Sequence, residues 1–287
     1  MLYVINYADG EPFETYQKLN SRTAKWIGGA DKVIEYSSKI IPQSYKEAHS
    51  EIFAYKRGAG LWLWKPYVIL DALHCINNND WLFYCDSACF FVRRIKPLIN
   101  YAEKHKRPFM LFGLPLLNRQ FCKKECYVKL GLEERGENQA VGTYMLIKKT
   151  PENLNIVKEW LLWCEREELI SPDLKDKSIG EFPDFFSHRE DQSLLSLISY
   201  KYNIPLNLEC SNFRIFPYQY CYKEFEYSPL PIKKCSYGLI LINHRATKPS
   251  IYLKIFLKIW ILKTLGIRYT EKQRLANKPS FFTNFQR

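Results

Sequence analysis

A carboxylate follows the most apolar short segment of the chain. Residues 81–85 (WLFYC) form a continuous apolar run after a turn at residues 77–80 (NNND), and Asp86 and Ser87 come directly after it. Such a run is typical of a strand that is buried on both faces of a mostly parallel sheet. Asp86 would then lie at the carboxyl edge of the sheet, where its carboxylate could hold Mg²⁺ or Mn²⁺ beside a diphosphate. Alternatively, Asp86 or Ser87 simply caps a following helix.

A second block of candidate binding residues lies upstream of this strand. Residues 57–66 (RGAGLWLWKP) place Arg57 and Lys65 on either side of a glycine turn and two tryptophans. Cationic side chains can bind phosphate oxygens, and aromatic rings can stack on a base or a sugar. The same pattern also fits a packing role, because Trp62 and Trp64 are of the residue type that fills a core.

A third block combines acidic and amide side chains. Residues 188–195 (HREDQSLL) begin an amphipathic helix, and Asp191 and Gln192 form an acceptor–donor pair that can bind sugar hydroxyls. Glu190 or Asp191 could also serve as a general base. The alternative needs no function, because the helix dipole favours acidic residues in a first turn.

A fourth block is cationic. Residues 243–249 (NHRATKP) follow an apolar run at residues 238–242, and His244, Arg245 and Lys248 lie within five residues of one another. Such a group could bind a diphosphate. A lone histidine is more often structural, and that alternative stays open.

The elements that must position these blocks alternate between strand and helix. Strand patterns occur at residues 1–7, 31–36, 81–85, 108–113 and 141–147, and helix patterns at residues 12–26, 66–76, 151–165 and 191–202. This alternation predicts a single α/β domain with a mostly parallel, twisted central sheet flanked by helices. Residues 171–187 are predicted to be a loop. We expect this domain to span residues 1–248.

Composition and charge exclude several classes of protein. Only 12 Gly and 15 Pro occur in 287 residues, so collagen-like and wholly disordered chains are excluded. The net charge of +12 is concentrated near the end, where residues 230–287 hold 12 of the 42 Lys and Arg but only Glu271 of the 30 acidic residues. A nucleic-acid-binding protein would more often spread basic side chains over its folded face, so we expect no nucleic-acid partner.

The basic tail, residues 249–287, contains an amphipathic pattern. Residues 251–267 are almost entirely apolar and are interrupted by Lys254, Lys258 and Lys263. Three lysines in so short a segment argue against a membrane-spanning helix and favour a helix that lies on an anionic membrane surface. We expect residues 249–278 to make this contact. The alternative is a helix packed on the domain's own core.

The first residues of the sequence and its cysteines predict the cellular compartment. The first residues (MLYVINY) predict a strand rather than a basic leader, and the nine cysteines show no disulfide framework. Cys85/Cys89 and Cys122/Cys126 are each separated by three residues, which is not a zinc-finger spacing and argues against a zinc site. We expect a cytoplasmic protein with reduced thiols, peripheral to the inner face of the cytoplasmic membrane.

Together the four blocks resemble the nucleotide-sugar glycosyltransferases of the GT-A fold, of the kind encoded in bacterial capsule, O-antigen and lipooligosaccharide gene clusters. The resemblance covers residues 1–248 and rests on RGAGLWLWKP at 57–66, YCDSA at 84–88, HREDQSLL at 188–195 and NHR at 243–245. It implies transfer of a sugar from a nucleotide-diphosphate donor to a hydroxyl of a glycan or lipid-linked saccharide acceptor, in cell-surface polysaccharide synthesis.

The resemblance also implies roles for individual residues. Asp86 corresponds to the DxD motif that binds the metal-bound sugar diphosphate, but Ala88 stands where the last aspartate would be. The implied metal, Mn²⁺ or Mg²⁺, would therefore depend on Asp86 and His244. Asp191 and Gln192 would lie beside the transferred sugar and, with Asp86, form the catalytic group. The implied donor-binding residues are Asn6, Tyr7, Ala8, Arg57, Trp64, Lys65, Asp86, Ser87, His244, Arg245 and Lys248.

Two questions remain open at the level of the sequence. Similarity of the last two blocks to retaining enzymes favours a retaining reaction, whereas an inverting enzyme would need a base such as Asp191 or Glu190. The alternative function is a non-catalytic peripheral membrane protein that binds nucleotide or glycan with the same fold, and Ala88 in the altered motif is the best argument for it.

Overall fold

The computed structural model describes residues 1–214, 230–232, 234–244 and 247–265. The chain divides into two compact units, Met1–Ile242 and Asn243–Arg287. The first unit holds the sheet and the first three sequence blocks. The second unit holds the fourth block and the tail. The expected division of roles between residues 1–248 and residues 249–287 stays a prediction.

One mixed sheet dominates the first unit. The strands are β1 (Leu2–Tyr7), β2 (Lys32–Tyr36), β3 (Trp81–Cys85), β4 (Cys89–Phe91), β5 (Phe109–Leu117), β6 (Asn138–Ala140), β7 (Tyr144–Lys148), β8 (Leu206–Asn207) and β9 (Leu241–Asn243). The order in the sheet is β2–β1–β3–β7–β5–β6, with β8 paired to β5, while β4 pairs with β9 separately. Strands β1, β2, β3, β5 and β8 run in one direction, and β6 and β7 run in the other. The predicted α/β class with a mostly parallel central sheet is confirmed.

Helices and short turns connect these strands. They are α1 (Phe13–Thr23), α2 (Gln43–Ala48), α3 (Ser50–Phe53), α4 (Gly58–Leu61), α5 (Trp64–Cys75), α6 (Lys96–Lys104), α7 (Lys124–Leu130), α8 (Pro151–Cys164), α9 (Glu167–Ile170), α10 (Glu190–Lys201) and α11 (Pro249–Thr264). A π-helical turn, Ala24–Gly28, continues α1, and short 3₁₀ turns cover Ser38–Ile40, Asn118–Gln120 and Asn212–Arg214.

The two faces of β3 pack against different halves of the core. Leu82 and Tyr84 belong to a cluster that includes apolar residues of α5, α8 and α10. Trp81, Phe83 and Cys85 belong to a second cluster, which includes residues of β4 and α6. All five side chains are at most 6% exposed. The strand is therefore buried on both faces, as its continuous apolar pattern predicts.

Most predicted elements occur close to their expected positions. The helices predicted at residues 151–165 and 191–202 correspond to α8 and α10, and the strand predicted at 108–113 begins β5 but continues to Leu117. The strand predicted at 141–147 starts later, at Tyr144. Residues 171–187 contain neither helix nor strand, as expected for a loop.

Helix α11 lies in the part of the tail where an amphipathic helix is predicted. Leu257, Trp260 and Ile261 are each about half exposed, and Lys254 and Lys258 are exposed on the same helix. None of the described helices combines the length and the hydropathy that crossing a bilayer requires.

Candidate active site

The carboxyl ends of β1 and β3 bring two predicted groups together. The strands are parallel neighbours with Ile5 opposite Tyr84, so the residues that follow them lie at the same edge of the sheet. Asn6 donates from Nδ2 to Asn20 Oδ1 at 2.9 Å, and Asn20 donates in turn to the carbonyl oxygen of Asp86 at 3.2 Å. The predicted donor-binding edge at residues 6–8 is thus linked to the loop that carries Asp86.

Asp86 presents its carboxylate at this edge. The side chain is 35% exposed, and its backbone N–H donates to the carbonyl of Thr143 at 2.8 Å. Tyr84 Oη donates to Asp86 Oδ1 at 2.5 Å, and Lys65 Nζ lies 3.6 Å from the same oxygen. Among the described residues, both contacts of the carboxylate are to Oδ1, which leaves Oδ2 to a ligand.

Lys65 connects the two acidic groups that the sequence places 105 residues apart, at Asp86 and Asp191. Its Nζ lies 3.1 Å from Asp191 Oδ2 and donates to the carbonyl of Gly142 at 3.1 Å. The Lys65 and Asp191 side chains are each 5% exposed. Burial acts to lower the pKa of Lys65, but Asp191 and Asp86 outweigh it and raise the pKa above its ordinary value, so the lysine is charged.

The first turn of α10 carries two carboxyl groups in a low-dielectric environment. Burial raises the pKa of Asp191 to about 6, although the Lys65 ammonium acts in the opposite direction. Burial also raises the pKa of Glu190 to about 7, while Arg57 acts to lower it. Arg57 Nε donates to Glu190 Oε1 at 2.6 Å. Both carboxyl groups therefore titrate closer to neutrality than exposed acids do.

The block at residues 57–66 folds into a left-handed turn. Gly58, Ala59, Gly60, Leu61 and Trp62 all have positive φ angles, between 50° and 93°. Left-handed backbone costs roughly 1–2 kcal/mol for each residue other than glycine, so three of these five residues are strained. Such strain persists only where surrounding contacts enforce it, and it is concentrated at functional sites.

Contacts within the block hold this turn. Trp64 Nε1 donates to the carbonyl of Gly58 at 2.9 Å, and the Trp64 ring stacks on Tyr7 with 3.8 Å between centroids. Both aromatic side chains are 7% exposed, so the Tyr7–Trp64 stack is part of the core. The Arg57 guanidinium lies 5.3 Å from the centroid of the Trp62 ring. The turn thus aims Arg57 towards Glu190 and starts α5, which carries Lys65.

Gln192 is engaged with neighbouring polar groups. Its Nε2 donates to Gln139 Oε1 at 2.9 Å, and its Oε1 accepts from the backbone N–H of Gly142 at 3.4 Å. Gly142 therefore contacts both Gln192 and Lys65. Ser87, the residue after Asp86, is buried at 4% exposure, as is Ala8 at 2%.

The fourth block belongs to the second unit. His244 Nδ1 donates to the carbonyl of Thr247 at 2.6 Å, and burial lowers the pKa of His244 to about 4, with the Thr247 bond opposing the shift. Lys248 is exposed. Arg245 lies outside the described residues. The structure therefore describes His244 and Lys248 only within their own unit.

Three residues of the site were not singled out in the sequence. Tyr84 donates to the Asp86 carboxylate, and Asn20 donates to the Asp86 backbone carbonyl. The carbonyl of Gly142 accepts from the Lys65 ammonium. Of these three residues, only Tyr84 could have been identified from the sequence. It precedes Asp86 by two positions, and residues two apart on a strand share a face. Asn20 and Gly142 reach the site through long-range packing.

The charges of the site fit a cation that binds beside Asp86. Two cationic side chains, Lys65 and Arg57, face three carboxyl groups, which gives a formal charge of −1 when all are ionised. A diphosphate would be repelled by this excess negative charge, and a bound divalent cation would remove the repulsion. Mg²⁺ in phosphate sites is commonly held by one or two carboxylates together with the substrate's phosphates, so the single exposed carboxylate of Asp86 is sufficient in principle.

Comparison with known proteins gives a limited result. No protein-family model matches the chain, and no curated protein matches it. Among solved structures, it is similar to mouse xyloside xylosyltransferase 1 in its apo form, with a TM-score of 0.46 and 9% identity over 87% of this chain and 99% of that one. It is also similar to a glycosyltransferase involved in glycosylation of the major capsid of PBCV-1, with a TM-score of 0.42 and 10% identity over 90% and 98% of the two chains. This similarity is too low to assign either protein's activity to the chain.

Proposed function

We propose that the protein is a glycosyltransferase that moves a sugar from a nucleotide-diphosphate donor to a hydroxyl of a glycan or lipid-linked saccharide, in the synthesis of cell-surface polysaccharide. One observation carries the proposal: the buried Lys65 joins Asp86, at the carboxyl end of β3, to Asp191, at the start of α10. Glycosyl transfer needs stabilisation of a departing diphosphate and of positive charge on the sugar, and this site has a separate carboxylate for each task.

Asp86 is the residue that would bind the donor's diphosphate through a divalent cation. Its carboxylate is partly exposed at the carboxyl edge of the sheet, and Tyr84 and Lys65 fix its orientation through Oδ1. A bound Mn²⁺ or Mg²⁺ would neutralise the charge of the leaving diphosphate. The predicted roles of His244 as a metal ligand and of Arg245 and Lys248 as phosphate-binding residues stay proposals, and Arg57 is proposed to assist in binding the diphosphate.

Asp191 would act on the transferred sugar electrostatically. It is 4% exposed, and a charge in such a low-dielectric position acts more strongly on a developing oxocarbenium ion than one in water. Lys65 is a positioning residue, because it orients both carboxylates without lying at the exposed edge itself. Gln192, held by Gln139, would orient sugar hydroxyls.

We infer a retaining reaction. An inverting enzyme needs a base that can reach the acceptor hydroxyl, but Asp191 is paired with Lys65 and Glu190 is paired with Arg57. Neither carboxylate is at the exposed edge of the site, whereas Asp86 is.

Asn6, Tyr7 and Ala8 are proposed to contact the base and ribose of the donor. They occupy the carboxyl end of β1, directly beside the strand that leads to Asp86. All three side chains are largely buried, so the contact would be made mainly by the backbone.

The tail is proposed to bind the anionic inner face of the cytoplasmic membrane through residues 249–278. In the described part, α11 exposes Leu257, Trp260 and Ile261 together with Lys254 and Lys258. Apolar side chains that insert among lipids and lysines that meet anionic headgroups are the features of an interfacial helix. Such contact would raise the local concentration of a lipid-linked acceptor.

A second function, non-catalytic binding of nucleotide or glycan, has one observation in its favour. Asp191 and Gln192 are both engaged with other side chains of the protein, and Asp191 is buried. Such a protein would bind the donor and leave it intact.

Release of nucleoside diphosphate from a panel of nucleotide sugars, with Mn²⁺ and with lipid-linked saccharide acceptors, distinguishes the two functions. We expect release from one donor, with at least a hundredfold loss in Asp86→Asn and Asp191→Asn. The matched control is Asp184→Asn, which removes a partly exposed carboxylate paired with Arg119. Binding of a donor without release from any of the panel would support the non-catalytic function.

A further inference from the structure

Two cysteines and a histidine that are distant in sequence meet in the core. Cys122, Cys126 and His188 each offer one ligand atom, and these three atoms lie within 4.8 Å of one another. All three side chains are buried, at 0% to 3% exposure. Cys122 follows the 3₁₀ turn Asn118–Gln120, Cys126 lies in α7, and His188 lies just before α10. The group is therefore formed only when the chain folds.

We propose that Cys122, Cys126 and His188 bind a single thiophilic divalent metal ion, with Zn²⁺ as the expected occupant. Thiolate and imidazole are the ligands that Zn²⁺ prefers in proteins. This site is separate from Asp86 and does not depend on the proposed reaction. The spacing of the two cysteines does not resemble a zinc finger, and the third ligand comes from 62 residues further along the chain than Cys126.

His188 has a nitrogen available for such an ion. The backbone N–H of Lys123 donates to His188 Nδ1 at 3.3 Å, so in the neutral imidazole the free lone pair is on Nδ1 and the proton is on Nε2. An ion bound through Nδ1 would replace this long hydrogen bond from Lys123, and Nε2–H would remain a donor.

The charges around the group match a neutral complex. Two thiolates and a neutral imidazole around a divalent ion carry no net charge, which suits a buried position. The neighbouring ions are already paired, since Lys123 Nζ lies 3.3 Å from Glu125 Oε2 and Glu125 also pairs with Lys129. Glu125 is therefore engaged by two lysines and does not compete with the proposed ligands.

The geometry requires a small contraction. With Zn–S bonds of about 2.3 Å and Zn–N bonds of about 2.0 Å, tetrahedral ligand atoms lie roughly 3.5–3.8 Å apart, so side-chain shifts of about 1 Å are sufficient. Cys126 Sγ donates to the carbonyl oxygen of Leu169 at 3.3 Å, and loss of the thiol proton on metal binding would leave this oxygen as a candidate fourth ligand. On binding, each thiol loses its proton to solvent and forms a metal–sulfur bond, with no change in oxidation state.

The position of the group suggests what the ion would do. His188 lies two residues before Glu190, whose backbone is in the left-handed region at φ 38°. An ion that ties His188 to α7 would restrain this segment and so hold Glu190 and Asp191 in place. It would be a structural ion, because the three ligands are buried and none of them lies at the exposed edge with Asp86.

The test is the metal content and the cobalt spectrum of the full-length protein, purified without a histidine tag. We expect about one equivalent of zinc after dialysis against a weak chelator. Replacement by Co²⁺ should give a sulfur-to-cobalt charge-transfer band and the intense visible bands of tetrahedral cobalt. Cys126→Ser and His188→Gln should each lower zinc content at least tenfold.

Two controls separate binding from misfolding. Cys210→Ser removes another buried, free cysteine and Cys75→Ser an exposed one, and both should keep a full equivalent of zinc. If a ligand variant does not fold, the wild-type cobalt spectrum still decides the question. Zinc below one tenth of an equivalent together with no charge-transfer band would overturn the proposal. A thiol count that shows Cys122 and Cys126 joined in a disulfide in the purified protein would also overturn it.

Discussion

Lys65 Nζ lies 3.1 Å from Asp191 Oδ2, and the two side chains are each 5% exposed. This ion pair crosses the core from the first turn of α5 to the first turn of α10, and the same ammonium lies 3.6 Å from Asp86 at the sheet edge. Burial of the charged Asp191 alone would cost free energy, and its ion pair with Lys65 offsets part of that cost. The pair therefore links the stability of the fold to the geometry of the proposed active site.

Removing Lys65 should leave Asp191 buried without its counter-ion. We expect Lys65→Met to lower the free energy of unfolding by about 3–5 kcal/mol, as measured by urea denaturation, and to abolish transfer. The double variant Lys65→Met/Asp191→Asn should recover part of this loss, because no buried charge then remains unpaired. Lys201→Met is the control: it breaks a partly exposed pair with Glu159 and should cost less than about 1 kcal/mol. Equal losses in the single and double variants would contradict the ion pair.

The raised pKa of Glu190 should make stability fall as the pH increases. The folded protein holds the proton up to about pH 7, whereas the unfolded chain releases it near pH 4.5. The stabilising contribution is therefore complete below pH 4.5 and is lost as the pH rises to about 7. Glu190→Gln should remove this part of the pH dependence, as followed by denaturation midpoints at several pH values.

A matched exposed acid provides the comparison for Glu190. Glu133 is 83% exposed, so Glu133→Gln should leave the stability profile unchanged between these pH values. A Glu190→Gln profile that follows the wild type would mean that Glu190 is ionised at ordinary acidic pH in the folded protein.

The left-handed turn should not tolerate a side chain at Gly60. A Cβ there would lie 2.7 Å from Phe53 Cδ1, and φ is +93°. Gly131 is the matched control, since its φ is +64° and a Cβ would meet no atom within 4 Å. Gly131→Ala should cost about 1–2 kcal/mol for its backbone alone. Gly60→Ala should cost about 1–3 kcal/mol more, because it also overpacks the core. Equal costs in a thermal or urea denaturation would show that the turn can relax.

Much of the scaffold could be predicted from the sequence, because it depends on local patterns. The apolar run at 81–85 is buried on both faces of the sheet, and its end at Asp86 lies at the edge expected for ligand binding. Helix α8 begins at Pro151, after Thr150, whose side chain accepts from the backbone N–H of Asn153 as a helix cap. These features depend on residues close together in the chain.

The contacts that assemble the site could not be predicted in the same way. The phosphate-binding roles predicted for Arg57 and Lys65 stay predictions, but their pairing with Glu190 and Asp191, more than 100 residues away, has no signature in the sequence. The left-handed turn could not be predicted from the sequence either, because Ala59, Leu61 and Trp62 belong to residue types that rarely adopt positive φ. Both features depend on tertiary packing, which a single sequence does not display.

The exposed apolar face of α11 should determine binding to membranes. We expect Leu257→Ser/Trp260→Ser to lose sedimentation with vesicles of anionic phospholipid, because each substitution removes an exposed apolar side chain that would insert among the lipids. Val128→Ser/Leu162→Ser removes two comparably exposed side chains elsewhere and should sediment like the wild type. Full vesicle binding by the α11 variant would contradict the interfacial helix.

The central claim, that Asp86 holds the donor's diphosphate at the carboxyl end of β3, is tested most directly by calorimetric titration with nucleoside diphosphates, with and without Mn²⁺. We expect one of them to bind, with affinity raised at least tenfold by Mn²⁺, which is about 1.4 kcal/mol. Asp86→Asn should lose this gain, whereas Tyr84→Phe, which removes only a hydrogen bond to the carboxylate, should keep most of it. Unchanged Mn²⁺-dependent affinity in Asp86→Asn would contradict the claim.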